Sequence, residues 1–107
     1  MYTIINNNLL FHGCIPLDKN GEFIKFECAG GLCGRAFMDY ADRLARKAYY
    51  DNKATEEGQF GMDFLWWLWA GRNSPIFGRD RMTTFERRFI KDESPWTEPK
   101  NPYYRYY

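Results

Sequence analysis

Residues 63–81 read DFLWWLWAGRNSPIFGRDR. Every residue of the segment 64–70 is apolar, and a helix that is apolar on all sides has to be covered on all sides. Gly71 then occupies the position of a helix C-cap glycine. Pro75 stops a helix soon afterwards, because proline disfavours the helical conformation in the residue before it. This stretch therefore predicts a buried helix that ends at about residue 70 and leads into an irregular loop.

Three arginines lie in that loop: Arg72, Arg79 and Arg81. On residue types alone, the favoured interpretation is a solvated surface loop that follows a core helix. The alternative is an anion-binding loop held in place by a rigid helix, because functional residues are often presented by loops on rigid scaffolds. Composition does not decide between the two.

Length and charge limit the possible classes of protein. The chain has 107 residues, which predicts one domain at most. Its 15 basic and 14 acidic residues give a formal charge of +1, which argues against binding to nucleic acid or to a membrane surface. The apolar run is far shorter than the roughly 20 residues that span a bilayer. Three cysteines without a secretion signal favour reduced thiols and a cytoplasmic location.

The first part of the chain contains two hairpin patterns. Residues 2–5 and 9–12 predict two strands joined by an asparagine turn, and the unbroken apolar run at 9–12 predicts a strand covered on both faces. Asn20-Gly21 is a strong hairpin turn pattern, which predicts a further strand over residues 22–28.

The second part of the chain has the spacing of helices. A first helix is predicted over residues 34–52, because its apolar residues recur at intervals of three and four. Thr55 is the expected N-cap of a second helix that ends at about residue 70. Thr83 and Glu86 fit a capping box at the start of a short third helix. An extended tail follows, over residues 92–107.

These patterns predict an α+β fold with short antiparallel strands at the N-terminus, two main helices, a shorter third helix and an extended tail. Residues 1–107 are expected to form one partial domain. It comprises a strand region over 1–28, a helical region over 34–91 and the tail over 92–107. Aromatic residues make up 20% of the chain, which favours part of a larger protein or an oligomer, because so much apolar surface is hard to bury in a small domain.

His12 is the only histidine, and it stands at the end of a predicted strand before Gly13. A lone histidine is more often structural than functional. A strand end that opens into a glycine turn is nevertheless a place where a metal ligand would face a cleft. A zinc site made of His12, Cys14, Cys28 and Cys33 is a weaker alternative, because their spacing is not typical of structural zinc sites.

Two segments resemble the bacterial class III fructose-1,6-bisphosphatases. They are LLFHGCIPL at residues 9–17 and LWAGRNSPIFGRDRMTTFE at residues 68–86, and NPYY at residues 101–104 adds to the likeness. The resemblance covers essentially the whole chain but only an internal portion of that enzyme. It implies a calcineurin-like metallophosphoesterase with a two-metal centre, with manganese expected. His12 would then bind one metal. By a looser comparison with phosphoprotein phosphatases, Arg81 would contact substrate phosphate, with Arg79 and Arg72 as further candidates.

The resemblance implies hydrolysis of fructose 1,6-bisphosphate to fructose 6-phosphate and phosphate, in gluconeogenesis. A metal-bound hydroxide would attack the phosphorus, and arginines would stabilise the charge on the phosphate oxygens.

The superfamily motifs G-D-x-H, G-D-x-x-D, G-N-H-[DE] and the later G-H are absent from the chain. One histidine cannot hold two metals, so this segment alone is expected to be inactive, to bind no metal, and to associate with itself or with the remainder of the same chain. The alternative from another class is a non-catalytic, aromatic-rich protein-interaction module. A reading frame that extends on both sides and contains G-D-x-H and G-H would favour the enzyme.

Overall fold

A β-hairpin, two long helices and one short helix follow one another in the computed structural model, which describes residues 1–51 and 54–97. The strands are β1 (Tyr2–Ile5) and β2 (Asn8–Phe11), and the helices are α1 (Gly34–Tyr50), α2 (Glu56–Ala70) and α3 (Glu86–Phe89). This order confirms the predicted α+β class. The NPYY motif and most of the predicted extended tail lie outside the described residues.

The N-terminal hairpin has the predicted turn. β1 and β2 are antiparallel, with Ile4 opposite Leu9. Asn6 and Asn7 have φ angles of 50° and 62°, the left-handed values that a tight two-residue hairpin turn requires. The prediction that the second strand is covered on both faces is wrong, because Leu9 is 45% exposed and Leu10 is 50% exposed. Within the described residues the sheet has only these two strands, so no further strand lies beside them.

The second predicted hairpin forms its turn but not its strand. The Asp18 carboxylate accepts hydrogen bonds from the backbone N–H groups of Glu22 and Asn20, which lower the pKa of Asp18 and close the turn. Only an isolated bridge between Leu17 and Phe23 follows. The predicted strand over residues 22–28 is therefore wrong. The chain leaves the extended conformation and forms a 3-10 turn at Glu27–Ala29.

Phe26 supplies a physical reason for that departure. Its ring stacks on Phe37 of α1, with the ring centroids 3.9 Å apart, and lies edge-on to Trp67 of α2 at 5.6 Å. Burial of one large aromatic ring against two helices is favourable by about 2 kcal/mol, which is enough to offset one or two ladder hydrogen bonds.

The two long helices form the core. Phe37 and Ala41 of α1 pack with Phe64 and Leu68 of α2, and all four are almost fully buried. Gly61 permits the close approach of the helices, since a Cβ there would lie 2.6 Å from the Cβ of Ala48. The start of α2 is as predicted, because the Thr55 hydroxyl accepts a hydrogen bond from the Gly58 N–H at 3.0 Å.

The prediction that residues 64–70 are covered on all sides is wrong for the described part of the chain. Trp66 is 62% exposed and Trp69 is 61% exposed, and their rings contact each other with centroids 5.3 Å apart. α1 covers only one face of α2, so the opposite aromatic face is left at the surface. No helix within the described residues is both long enough and apolar enough to cross a membrane.

The third helix is present, but the predicted capping box is not. α3 has Phe85 as its N-cap residue, in a helical conformation and without a side-chain cap. The Thr83 side chain points into the structure instead, because the residue is only 1% exposed and its hydroxyl oxygen has no hydrogen-bond partner among the described residues. Burial of the Thr83 side chain has overridden the local capping preference.

The chain beyond α3 forms a turn, and the predicted extended conformation of residues 98–107, which lie outside the described residues, stays a prediction. The N–H groups of Trp96 and Thr97 donate to the Glu93 carbonyl, at 3.2 and 2.8 Å. Asp92 supports this turn by accepting hydrogen bonds from the N–H and hydroxyl of Ser94, which lower the pKa of Asp92.

Candidate functional site

The end of β2 and the loop after α2 meet through their backbones, and we name this contact the strand–loop junction (residues 13–14 with 75–76). The Cys14 N–H donates to the Pro75 carbonyl at 2.6 Å. Gly13 has a φ of 88°, and a Cβ at this position would overlap the Pro75 carbonyl oxygen and lie 2.7 Å from the Cα of Ile76. The fold therefore brings together the two sequence segments that carry the predicted site residues.

The arginine loop is fixed to the end of α2 by Ser74, which is fully buried. The Ser74 hydroxyl donates to the Leu68 carbonyl at 2.6 Å and accepts from the Phe77 N–H at 3.0 Å. The Gly78 N–H donates to the Ser74 carbonyl at 2.8 Å. A buried hydroxyl with a donor and an acceptor contact holds the backbone in one arrangement. The loop is consequently an ordered platform rather than a loosely tethered connection.

Two of the three predicted arginines converge on one carboxylate. Arg72 Nε forms an ion pair with Asp80 Oδ1, and Arg81 Nη2 lies 3.2 Å from Asp80 Oδ2. The Asp80 side chain is 18% exposed, whereas those of Arg72 and Arg81 are 74% and 45% exposed. The guanidinium groups thus reach the surface while the carboxylate that joins them lies beneath.

Arg79 contributes through its backbone as well. Its carbonyl accepts a hydrogen bond from the Asn73 N–H at 2.9 Å, which ties the two ends of the loop together. The Arg79 residue is exposed. Asp80 is the residue that sequence reasoning missed, although its position between two arginines was visible in the sequence and could have suggested a shared ion pair.

His12 is exposed at the end of β2, next to the strand–loop junction. Within residues 1–51 and 54–97, no group of three or more His, Cys, Asp or Glu side chains is placed to hold a metal ion. The alternative zinc site is not supported, because Cys14 is buried whereas Cys28 is exposed. The described residues therefore do not form a complete metal centre, and His12 could serve only as one ligand among others from elsewhere.

A surface cavity of about 410 Å³ opens beside the junction. Its walls include Cys14, which follows the H-G pair, and Asn73, which follows Arg72. Its volume lies in the range of small-molecule sites. None of the four predicted site residues lines it, so the cavity adjoins the candidate phosphate-binding surface and is not the same place.

Comparison with known proteins places the whole chain in one group. The sequence profile of the family described as Firmicute fructose-1,6-bisphosphatase matches residues 1–107. The chain is 49% identical over 107 residues to a fructose-1,6-bisphosphatase class 3 from Clostridium botulinum (strain Hall), which covers 99% of this chain. It is 51% identical over 106 residues to a protein of the same name from Fusobacterium nucleatum, which covers 98% of this chain.

The chain spans 16% of the length of each of these curated relatives. No solved structure gives a significant match.

Proposed function

The chain belongs to the Firmicute fructose-1,6-bisphosphatase family, and from this we propose that it forms part of an enzyme that hydrolyses fructose 1,6-bisphosphate to fructose 6-phosphate and phosphate in gluconeogenesis. The observation that carries the proposal is a family match along all 107 residues, with relatives of that name 49% and 51% identical. We also propose a cytoplasmic location, which the three free cysteines support. The alternative of a non-catalytic interaction module remains a prediction, and the family match favours the enzyme.

His12 is proposed as one ligand of a manganese centre in the complete enzyme. Its exposure at a strand end leaves the imidazole accessible to groups outside this segment. Imidazole is a common ligand of transition metals. Because no group of three or more potential ligands is present within the described residues, the rest of the centre would come from other parts of a longer chain.

The arginine loop is proposed to bind a phosphate group of the substrate. Residues 72–81 carry three arginines and one aspartate, so their formal charge is +2. Guanidinium groups match phosphate oxygens with paired hydrogen bonds and stay charged at any physiological pH. Arg81 is the first candidate, since its guanidinium is partly exposed and held from one side by Asp80.

Arg81→Lys in the complete enzyme is expected to keep the metal content and to lower kcat/KM. Lysine retains the charge but reproduces the planar, two-pronged donor geometry poorly. The expected loss is roughly 1.5–3 kcal/mol of transition-state stabilisation, the scale of a hydrogen bond to a charged group. Since about 1.4 kcal/mol is tenfold in rate, this amounts to about ten- to a hundredfold. Steady-state kinetics beside elemental analysis measure both quantities.

Arg46→Lys is the matched control. Arg46 is also exposed and also forms an ion pair, with Asp42 at 2.8 Å, but it lies on α1 and outside the loop. Its replacement should leave kcat/KM within about twofold, as expected of surface substitutions. Normal kinetics in both Arg81→Lys and Arg81→Ala would remove Arg81 from the proposed site.

The 107-residue chain alone is expected to release no phosphate from fructose 1,6-bisphosphate, even with manganese added. The physical reason is that its described residues supply no complete set of metal ligands. Phosphate release should be measured on repurified protein, with a His12→Ala variant as the control for contaminating phosphatase. Activity that survives repurification and disappears in His12→Ala would contradict this expectation.

The isolated chain is also expected to self-associate. Within the described residues its sheet has only two strands, and Ile4, Ile5, Leu9 and Leu10 are each 45–54% exposed. Exposed apolar patches favour association, and short sheets can add a strand from another chain. Analytical ultracentrifugation should show oligomers that dissociate in Leu10→Lys if the hairpin is the contact, or in Trp69→Glu if α2 is. A monomer at all concentrations would refute the expectation.

A further inference from the structure

We infer that Asp80 is a positioning residue that holds Arg72 and Arg81 in the arrangement that binds phosphate. The inference rests on the proposed function of the arginine loop and adds a specific role within it. Arg72 Nε and Arg81 Nη2 approach different oxygens of the same Asp80 carboxylate, so one side chain orients two guanidinium groups that are nine residues apart in sequence.

The burial of the three side chains supports this division of roles. Asp80 is 18% exposed, so its carboxylate is partly withdrawn from water, where it attracts the two cations more strongly than at an open surface. Arg72 and Arg81 are much more exposed, at 74% and 45%. Their greater exposure places both guanidinium groups at the surface, where an anion can reach them, while the Asp80 carboxylate lies beneath.

The backbone around Asp80 makes the arrangement specific. The Asn73 N–H binds the Arg79 carbonyl, so the loop segments that carry Arg72 and Asp80 lie side by side. Ser74 anchors the same segment to α2 through its bond to the Leu68 carbonyl. Asp80 therefore bridges the segment at the end of α2 and the segment that leads toward α3.

A positioning role and a purely electrostatic role of Asp80 predict opposite effects on phosphate binding when Asp80 is neutralised. Asp80→Asn raises the formal charge of residues 72–81 from +2 to +3, because one of the four charged residues becomes neutral. If Asp80 acted only as a nearby negative charge, phosphate binding would become tighter. If Asp80 positions the arginines, phosphate binding becomes weaker despite the added positive charge, because two long side chains lose their common anchor.

The test uses the complete enzyme and compares unmodified protein with Asp80→Asn and Asp80→Glu. The measured quantities are kcat, KM, the inhibition constant of inorganic phosphate, and the thermal midpoint. We expect Asp80→Asn to raise both KM and the phosphate inhibition constant by roughly tenfold. Asp80→Glu keeps the charge but lengthens the side chain, so it should raise KM and the phosphate inhibition constant by a smaller factor. If Asp80→Asn does not fold, Asp80→Glu provides the test.

Asp92→Asn is the matched control. Asp92 is also a loop aspartate, but its carboxylate accepts hydrogen bonds from the N–H and hydroxyl of Ser94 within a local turn. It should leave KM and the phosphate inhibition constant unchanged. A drop in the thermal midpoint of the Asp80 variants with unchanged phosphate inhibition would show a structural role only and would overturn the inference.

A double-mutant cycle with Arg72→Ala separates the positioning role of Asp80 from the phosphate-binding role of the arginines. If Asp80 acts through the arginines, Asp80→Asn should have a much smaller effect in the Arg72→Ala background than alone. Tighter phosphate binding in Asp80→Asn, or full additivity with Arg72→Ala, would overturn the positioning role while leaving the arginines in the site. Normal kinetics in Arg72→Ala and Arg81→Ala would instead overturn the proposed function of the loop.

Discussion

Gly13→Ala is expected to lower the free energy of unfolding of the chain by about 2–5 kcal/mol. Two costs add at this position. An alanine in the left-handed conformation costs about 1–2 kcal/mol, and forcing an extra carbon into a packed contact costs about 1–3 kcal/mol. The second cost arises because the new Cβ would overlap the Pro75 carbonyl oxygen and lie 2.7 Å from the Cα of Ile76. Both atoms belong to backbone and cannot rotate away.

Gly30→Ala separates the two costs. Gly30 also has a positive φ, of 65°, but an added Cβ would meet nothing within 4 Å. Its replacement should therefore cost only the conformational part, about 1–2 kcal/mol. Urea unfolding of the three proteins at one concentration, with equal m values, gives the comparison. If Gly13→Ala costs no more than Gly30→Ala, the close contact at the strand–loop junction is not present in solution.

Gly13→Ala should also affect the candidate functional site. Gly13 is the residue through which the segment bearing His12 contacts the loop bearing the arginines. Relief of the overlap requires the backbone of one of the two segments to shift, so the alanine would move the segment of His12 away from the arginine loop. In the complete enzyme, Gly13→Ala should therefore lower kcat/KM even at temperatures where the protein remains folded.

His12→Ala in the complete enzyme is expected to reduce turnover on the order of a thousandfold. Loss of one imidazole ligand weakens a metal that supplies several kcal/mol of transition-state charge stabilisation, and each 1.4 kcal/mol corresponds to tenfold in rate. Partial recovery is expected at raised manganese concentration, because mass action refills a weakened site. The readouts are metal content by elemental analysis and steady-state kinetics over a manganese titration.

The structure predicts little effect of the same substitution on stability. His12 is exposed, so its removal leaves no cavity in the core. His12→Asn retains a polar side chain of similar size and should resemble His12→Ala in metal content. Full metal occupancy in both variants would exclude His12 as a ligand, and a large fall in the thermal midpoint would show that the histidine is structural.

The sequence alone determined the secondary-structure elements that depend on residues close together in the chain. The apolar segments and asparagine turn of the first hairpin, the three-and-four spacing of α1, and the Thr55 cap of α2 each depend only on residues close in sequence. The same is true of the segments that carry the family resemblance, because a long run of matching residues needs no tertiary information. His12 and the three arginines could therefore be named as candidates before their surroundings were known.

Only the tertiary structure decided features that depend on distant partners. Phe26 left its predicted strand because Phe37 and Trp67, far along the chain, offered a better environment for its ring. Trp66 and Trp69 remained at the surface because α1 covers a single face of α2, a fact that the composition of α2 does not contain. In both cases the outcome depended on whether another element was present to pack against the side chain, which the local sequence does not specify.

The candidate site shows the same division. The sequence supplied two separate segments, and the backbone contact of Gly13 and Cys14 with Pro75 joined them. The pairing of Asp80 with both Arg72 and Arg81 depends on how the loop folds back on the end of α2. Electrostatic and hydrogen-bond partners of this kind are set by distances in space, so the residue types could be determined from the sequence, whereas their arrangement came only from the fold.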